Sequence, residues 1–134
     1  AMEVGLTKHV IRELDELFPY KGWNWHTEAR DRLVVNTPTG PVLFIHGDEM
    51  GGTPAAKSRR LGINLVQGHT HQASISYTYN EIIDKPVWAF EVGNMMDIHS
   101  KGARYAAKNP VGTMEGFGVI RNGIPFFVPT GCVL

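Results

Sequence analysis

Three histidines have the residue type and the spacing to bind a metal ion. His46 directly follows the apolar run Val42–Ile45. His69 and His71 follow a second apolar run, Ile63–Gln67. Because alternate side chains of an extended backbone point the same way, we expect His69 and His71 to share one side. Imidazole nitrogens are donors that suit zinc, iron and manganese-class ions, and strand ends are where α/β folds place ligand sites.

Glycines lie beside these histidines. Gly47 follows His46, and Gly68 precedes His69. Glycine adopts backbone conformations that other residues avoid, so we expect tight backbone geometry at both positions. We interpret the remaining histidines as structural or surface residues: His9, His26 and His99.

The hydropathy pattern predicts the strands that position the histidines. Apolar and β-branched runs predict seven strands: Leu33–Thr37, Pro41–His46, Ile63–Gln67, Ser74–Tyr79, Val87–Val92, Phe117–Arg121 and Ile124–Val128. Asn122-Gly123 lies between the last two runs and predicts a tight hairpin turn.

Helices are predicted at three places. Thr53-Pro54 supplies a capping hydroxyl and a proline at the first helical position, which predicts a short helix to about Leu61. Apolar residues at helical spacing predict an amphipathic helix over Gly5–Phe18. The segment Lys101–Lys108 favours one or two further helical turns.

These elements predict a mixed fold, α/β or α+β, in which β-sheets are flanked by helices. The 134 residues have the length of one ordinary domain, so we predict a single domain over residues 1–134. Hydrophobic residues make up 43% and charged residues 19% of the chain, a balance typical of globular rather than disordered proteins. We interpret Ala1, which precedes Met2, as a tag remnant and leave it out of the reasoning.

The charge balance argues against two classes of function. Thirteen Lys and Arg residues balance thirteen Asp and Glu residues, so the formal net charge is +0. Proteins that coat nucleic acid or bind membranes through basic residues need a positive field, which a chain of zero net charge does not provide.

The apolar runs and the cysteine content bear on where the protein works. The chain has no apolar run near the roughly 20 residues that span a bilayer. Its single cysteine, Cys132, cannot form an internal disulfide. We therefore expect a cytoplasmic protein with no membrane partner.

The two histidine motifs together resemble the C-terminal half of the calcineurin-like metallophosphoesterases. Ile45-His46-Gly47 ends one strand, a short helix follows, and Gly68-His69-Thr70-His71 ends the next strand. The resemblance covers the chain from Leu33 to Val92. It implies half of an α/β/β/α sandwich and the hydrolysis of phosphoesters with two divalent ions from among Mn, Fe, Zn and Ni. It also implies that His46 and His69 bind one ion and that His71 binds the other.

The N-terminal motifs of that family are missing from the chain. The family has Asp-x-His, Gly-Asp-x-x-Asp and Gly-Asn-His-Asp/Glu motifs, which supply a bridging aspartate, an asparagine ligand and a histidine that assists the leaving group. Gly47-Asp48 lacks the second aspartate, and Gly93-Asn94 is followed by Met95 where the family has histidine. We interpret Gly93-Asn94 as a strand end and turn. Because two adjacent dications need a shared carboxylate, the chain offers at most half of a binuclear site, and we identify no catalytic residue in it.

Three basic residues on the short helix are candidate substrate-binding residues. Lys57, Arg59 and Arg60 follow the glycine-rich turn after His46. They could draw an anionic phosphoester toward the histidines. Three charges in four residues also fit an ordinary solvated helix face.

The leading interpretation is therefore the C-terminal portion of a metal-dependent phosphoesterase that is weak or inactive alone. A half-sheet with exposed edges predicts a homo-oligomer or a complementing chain that supplies the missing motifs. Two alternatives are a non-catalytic binding or assembly module that keeps the fold, and a hydrolase with one zinc ion on three histidines. The substrate is a phosphoester. A nucleic acid is one candidate, although the neutral net charge does not indicate it.

Overall fold

Seven strands and one helix form the part of the chain that the structure describes. The computed structural model describes residues 20–22, 32–48, 50–96 and 113–130. The chain divides into two compact units, Ala1–Arg32 and Leu33–Leu134, and every element below belongs to the second. The helices predicted over Gly5–Phe18 and Lys101–Lys108 lie outside the described residues.

All seven predicted strands are confirmed, with ends that differ from the expected ones by no more than two residues. The short helix after Thr53 is confirmed as well. In chain order the elements are β1 (Leu33–Thr37), β2 (Gly40–Ile45), α1 (Pro54–Leu61), β3 (Asn64–Gln67), β4 (Ala73–Asn80), β5 (Lys85–Val92), β6 (Gly116–Arg121) and β7 (Ile124–Pro129).

Five of the strands form one mixed sheet in the order β1-β2-β3-β5-β4. The three inner strands, β2, β3 and β5, run parallel, whereas β1 and β4 pair antiparallel with their neighbours. The carboxyl ends of the three inner strands therefore lie at the same end of the sheet. We call it the histidine end because His46 and His69 follow β2 and β3 there. The described fold is thus of the mixed α and β class that the sequence predicts.

The core lies on both faces of this sheet because alternate residues of the inner strands point to opposite sides. On the helix face, Leu43, Leu65 and Ala89 pack together, beneath α1. On the hairpin face, the buried residues pack against Ile120 of β6 and Phe127 of β7; they are Val42, Val66, Trp88 and Phe90. Continuous apolar runs are expected of strands that are covered on both faces.

Helix α1 is fixed at both ends by the residues that the sequence analysis singles out. The Thr53 hydroxyl accepts a hydrogen bond from the Ala56 N–H at 3.3 Å, and Gly62 ends the helix at φ 64°. Ser58 anchors the helix to the sheet, because its hydroxyl contacts the carbonyl oxygens of Ile63 and Trp88. Within the described residues, no helix has the length and apolar character needed to cross a membrane.

The hairpin of β6 and β7 is built on the predicted Asn122-Gly123 turn. Both residues have positive φ, 52° and 79°, as the tight turn that this dipeptide favours requires. The Gly123 carbonyl accepts hydrogen bonds from the Trp88 indole at 3.1 Å and from the Thr39 hydroxyl at 2.8 Å. The turn therefore attaches the hairpin to the five-stranded sheet.

We expect Gly123→Ala to lower the free energy of unfolding by roughly 1–3 kcal/mol. An added Cβ would collide with the Thr39 hydroxyl and would sit at a φ that alanine avoids. Asn122→Gly is the matched control, since glycine adopts the same φ without strain. Urea unfolding of both variants checks this. Equal stability of the two variants would contradict the assignment of this turn.

Candidate metal centre

The fold brings His46 and His69 together at the histidine end of the sheet. Strands β2 and β3 are parallel neighbours in which Ile45 pairs with Gln67. The two strands therefore end side by side. Just beyond them, the Gly68 N–H donates a hydrogen bond to the His46 carbonyl at 3.0 Å. The two loops that carry the histidines are therefore joined through their backbones as soon as the strands end.

The two imidazole rings meet edge to face. His69 Nδ1 lies 3.1 Å from His46 Nε2, the ring centroids are 5.0 Å apart, and the ring planes are inclined by 79°. Both residues are exposed. One of the facing nitrogens must carry a proton for a direct hydrogen bond. Alternatively, both present lone pairs, and a cation lies between them.

The spacing of these nitrogens fits two ligands of one divalent ion. Ligand nitrogens at roughly 2.0–2.1 Å from a zinc ion lie roughly 2.9–3.4 Å apart when the angle at the ion is about 90–110°. The observed 3.1 Å lies within this range. In such a site His46 would keep its proton on Nδ1 and His69 on Nε2, so both rings could bind in their neutral forms.

The loop after β3 is not extended, which corrects one step of the sequence reasoning. His69 and His71 both have left-handed backbone, with φ 72° and 61°. The alternation rule of a strand therefore does not apply to them. Gly68 is also not left-handed, and a Cβ at Gly68 would meet only the His46 carbonyl at 3.8 Å. The chain does turn tightly here, because the Thr70 N–H donates to the Gly68 carbonyl at 2.9 Å, but the left-handed residue of this turn is His69 and not Gly68.

Gly47 is the glycine that this end of the sheet requires. It has φ 122°, and an added Cβ would lie 3.2 Å from the His69 Cβ. A side chain here would press on the neighbouring histidine loop as well as strain the backbone. The predicted tight geometry is confirmed at Gly47, while His69 and His71 themselves adopt conformations that cost roughly 1–3 kcal/mol each in non-glycine residues.

His71 is held by its backbone. Its carbonyl accepts hydrogen bonds from the Met114 N–H at 3.0 Å and from the Asn94 amide at 3.2 Å. Among the described residues, no three His, Cys, Asp or Glu side chains form a group that could hold an ion. The structure thus pairs His46 with His69 but does not bring His71 into a three-ligand set with them.

The Asn94 side chain is used for structure. Its amide donates to the carbonyls of His71 and Met114, and its Oδ1 accepts from the Met96 N–H at 3.0 Å. Gly93 before it has φ 71°. The interpretation of Gly93-Asn94 as a strand end and turn is confirmed.

A buried lysine supports the loop that follows His46. The side chain of Lys57 on α1 is only 2% exposed. Its ammonium donates to the Gly47 carbonyl at 2.6 Å and to Gln67 Oε1 at 3.0 Å. A buried ammonium is costly unless its protons are bound, so these contacts fix Gly47 against the helix.

A buried glutamate supports the loop that carries His69. Glu91 on β5 is 7% exposed. Its Oε1 accepts from Gln67 Nε2 at 3.1 Å and from the Thr70 hydroxyl at 2.7 Å, and its Oε2 accepts from the Ser74 hydroxyl at 3.1 Å. The Gln67 amide therefore bridges the Lys57 cation and the Glu91 anion. We call Lys57, Gln67 and Glu91 the buried triad.

The structure contradicts the solvent-facing orientation predicted for Lys57. Substrate binding and solvation both require an exposed side chain, but Lys57 points inward with Ser58 on the buried side of α1. Pattern reasoning misses this because the inward side of the helix is polar and carries no apolar stripe.

Arg59 and Arg60 are exposed but lie away from the histidine pair. The Arg59 carbonyl accepts a hydrogen bond from the amide of Asn80, the last residue of β4. The eight residues of β4 separate this position from the histidine end, about 23 Å at the usual rise of an extended strand. The two arginines line an open cavity of about 710 Å³ together with Tyr79 and Ile82. The structure does not bring them to the histidines.

Tyr79 lines the same cavity, and its pKa is shifted upward. The Asp84 carboxylate accepts the Tyr79 hydroxyl proton, and this hydrogen bond raises the pKa of Tyr79 above its usual value. Partial desolvation raises it further. The Tyr79 hydroxyl therefore acts as a donor within its own hairpin, from β4 to the turn that precedes β5.

Comparison of the chain with protein-family models, with curated protein sequences and with solved structures finds no match.

We expect Lys57→Met to lower the free energy of unfolding by roughly 2–4 kcal/mol. The substitution keeps most of the length of the side chain but removes the ammonium that donates to the Gly47 carbonyl and to Gln67 Oε1. Arg59→Met, two residues along the same helix, removes an exposed charge and should change stability by less than about 0.5 kcal/mol. Chemical denaturation compares the two variants. If Lys57→Met is no more destabilising than Arg59→Met, the buried triad does not stabilise this end of the sheet.

Proposed function

We propose that this chain is the C-terminal, histidine-bearing portion of a metal-dependent phosphoesterase. The observation that carries the proposal is the 3.1 Å approach of His46 Nε2 and His69 Nδ1 at the carboxyl ends of two parallel strands. Both residues belong to the motifs that resemble the calcineurin-like metallophosphoesterases. The helix, sheet and hairpin layers are compatible with half of the sandwich that this resemblance implies.

The backbone of the histidine loop supports a functional role for it. Two non-glycine residues in left-handed conformation within three positions are unfavourable for folding. Such strain persists where the surrounding structure enforces it, and it concentrates at functional sites. Here the Met114 N–H and the Asn94 amide hold the His71 carbonyl, and Thr70 is tied to Glu91. The loop is therefore held in a costly shape by contacts that do not involve the imidazole rings.

The residues of this chain would hold the metal and fix its surroundings. His46 and His69 would bind one ion, and His71 would bind the second ion that the resemblance implies. A divalent ion bound there supplies Lewis-acid polarisation of the phosphoryl group. The buried triad keeps both loops in place from beneath and leaves the exposed side of the rings open to a phosphoester.

A shared carboxylate is needed to complete a binuclear centre. No carboxylate among the described residues joins the histidines in a three-ligand group. We therefore propose that a complementing segment or chain supplies it, together with the motifs that this sequence lacks. The 134-residue chain by itself would then bind metal but turn over phosphodiesters slowly or not at all.

Metal binding by the isolated chain tests this proposal. We expect Zn²⁺ or Mn²⁺, titrated into chelator-treated protein in a calorimeter, to bind, and His46→Ala or His69→Ala to weaken binding by at least about tenfold. His9→Ala, a histidine outside the motifs, is the control and should leave the affinity unchanged. If His46→Ala and His69→Ala bind the metal as tightly as His9→Ala does, the assignment of His46 and His69 as ligands is contradicted.

Two outcomes would favour the alternative functions. If neither ion binds and His69→Ala leaves the melting temperature unchanged, the chain is a binding or assembly module whose rings share a proton. The direct ring contact observed at 3.1 Å is the feature that fits this alternative. If the isolated chain hydrolyses bis(p-nitrophenyl) phosphate and chelation abolishes the activity, a single-zinc hydrolase is favoured instead.

Thr70→Val tests whether the buried triad positions the histidine loop. The substitution removes the hydroxyl that donates to Glu91 at 2.7 Å and keeps the shape of the side chain. We expect the metal affinity to fall by about tenfold, as for the loss of an outer contact of a metal site. Thr78→Val is the matched control, because its hydroxyl has no hydrogen-bond partner among the described residues. Equal affinities in the same titration would contradict a positioning role.

A further inference from the structure

We infer that the chain forms a two-fold symmetric dimer by pairing strand β4 with β4 of a second copy. β4 is the outermost strand of the five-stranded sheet, and within the described residues no strand pairs with its outer side. The inference does not depend on the proposed metal centre, which lies at the end of the sheet rather than along this edge.

The sequence of β4 lacks the features that keep edge strands apart. Exposed edges are usually protected by lysine, proline, bulges or inward charges. β4 reads Ala-Ser-Ile-Ser-Tyr-Thr-Tyr-Asn and contains no charged residue and no proline over its eight positions. Its tyrosines are open to solvent: Tyr77 is 62% and Tyr79 is 56% exposed. The zero net charge of the chain adds no repulsion between copies.

The hydrogen bonds between β4 and β5 determine which backbone groups of β4 point away from the sheet. The Gly93 N–H donates to the Gln72 carbonyl at 2.8 Å, so these two residues form a hydrogen-bonded pair across β4 and β5. Hydrogen-bonded and non-hydrogen-bonded pairs alternate along an antiparallel ladder. The even-numbered residues of β4 therefore bond to β5. The N–H and C=O groups of the odd-numbered residues point away from it: Ala73, Ile75, Tyr77 and Tyr79.

If the two-fold axis passes between the Ser76 residues of the two copies, all of these outward groups form hydrogen bonds. In that register Ala73 faces Tyr79 of the second copy, and Ile75 faces its Tyr77. Each facing pair exchanges two hydrogen bonds, and the four pairs form a continuous ten-stranded sheet. A large side chain lies opposite a smaller one on the hairpin face, which is the complementarity that cross-strand pairs favour.

The same register explains an unusual hydroxyl on the opposite face. Within the described residues, Thr78 Oγ1 is buried and has no hydrogen-bond partner. Buried polar atoms without a partner are uncommon in folded proteins. The axis at Ser76 places Ser74 of the second copy directly opposite Thr78. A rotation of the Thr78 side chain toward this serine would form a hydroxyl pair of the kind that stabilises antiparallel strands.

The register also keeps charges apart. The acidic residues of the β4–β5 turn, Glu81 and Asp84, come after the paired segment, since Asn80 faces Gln72 of the second copy and Glu81 comes next, beside its His71. The two histidine ends then lie at opposite ends of the combined sheet. The pair of His46 and His69 follows β2 and β3, which β5 separates from β4, so dimerisation leaves this pair outside the interface.

Disulfide trapping tests the register in protein that carries Cys132→Ser. Ser76→Cys places two thiols at the axis, in a non-hydrogen-bonded pair with a Cα separation of about 4.5 Å, which suits a disulfide. Thr78→Cys is the matched control, because its symmetry mate is four residues away along the strand, about 13 Å. We expect mild oxidation to cross-link most of Ser76→Cys and little of Thr78→Cys. Equal cross-linking of the two would overturn the register.

The mass of the chain in solution tests the dimer itself. Light scattering at increasing concentration should approach twice the 14.9 kDa chain mass. Tyr77→Lys/Tyr79→Lys should return the mass to that of one chain while the chain stays folded, since both side chains are exposed. Ile82→Lys, at a 94% exposed position in the turn outside the register, should leave the dimer intact. A monomer at every concentration, or an oligomer that the double variant leaves unchanged, would overturn the inference.

Discussion

The amide of Gln67 lies between a buried ammonium and a buried carboxylate, and the histidine end of the sheet depends on this arrangement. Lys57 comes from the helix and Glu91 from β5, while Gln67 is the last residue of β3. Removing either charge from water is costly, and hydrogen bonds to the charged atoms offset the cost. The triad therefore constrains a helix, two strands and two loops to one geometry.

That constraint acts directly on the candidate metal centre. Lys57 holds the carbonyl of the residue after His46, and Glu91 holds the side chain of the residue after His69. The two rings can then approach to 3.1 Å although both are exposed at the surface. The left-handed backbone at His69 and His71 is the conformational cost of this arrangement, and the packed polar groups beneath it offset that cost.

Local patterns in the sequence were sufficient for the strands, the capped helix and the Asn122-Gly123 turn. Each depends on residues that are close in the chain: apolar runs, a threonine before a proline, and a dipeptide that tolerates positive φ. The pairing of His46 with His69 could also be predicted, since both follow strands whose carboxyl ends meet at one edge.

The remaining features could not be predicted because they depend on tertiary contacts. The inward orientation of Lys57 requires acceptors contributed by Gly47 and Gln67, which hydropathy does not report. The distance of Arg59 from the histidines follows from the direction of α1 across the sheet. The left-handed conformation of His69 contradicts its intrinsic preference, so pattern reasoning assigned it extended backbone.

The central claim is that His46 Nε2 and His69 Nδ1 bind one ion, and the nitrogen resonances of the two rings test it most directly. Long-range ¹H–¹⁵N spectra of ¹⁵N-histidine-labelled protein can follow each ring nitrogen as Zn²⁺ is added. The account predicts that these two nitrogens shift together to metal-bound positions, while His46 Nδ1 and His69 Nε2 keep their protons. Unchanged resonances at both rings in excess Zn²⁺, or binding through the opposite nitrogens, would contradict it.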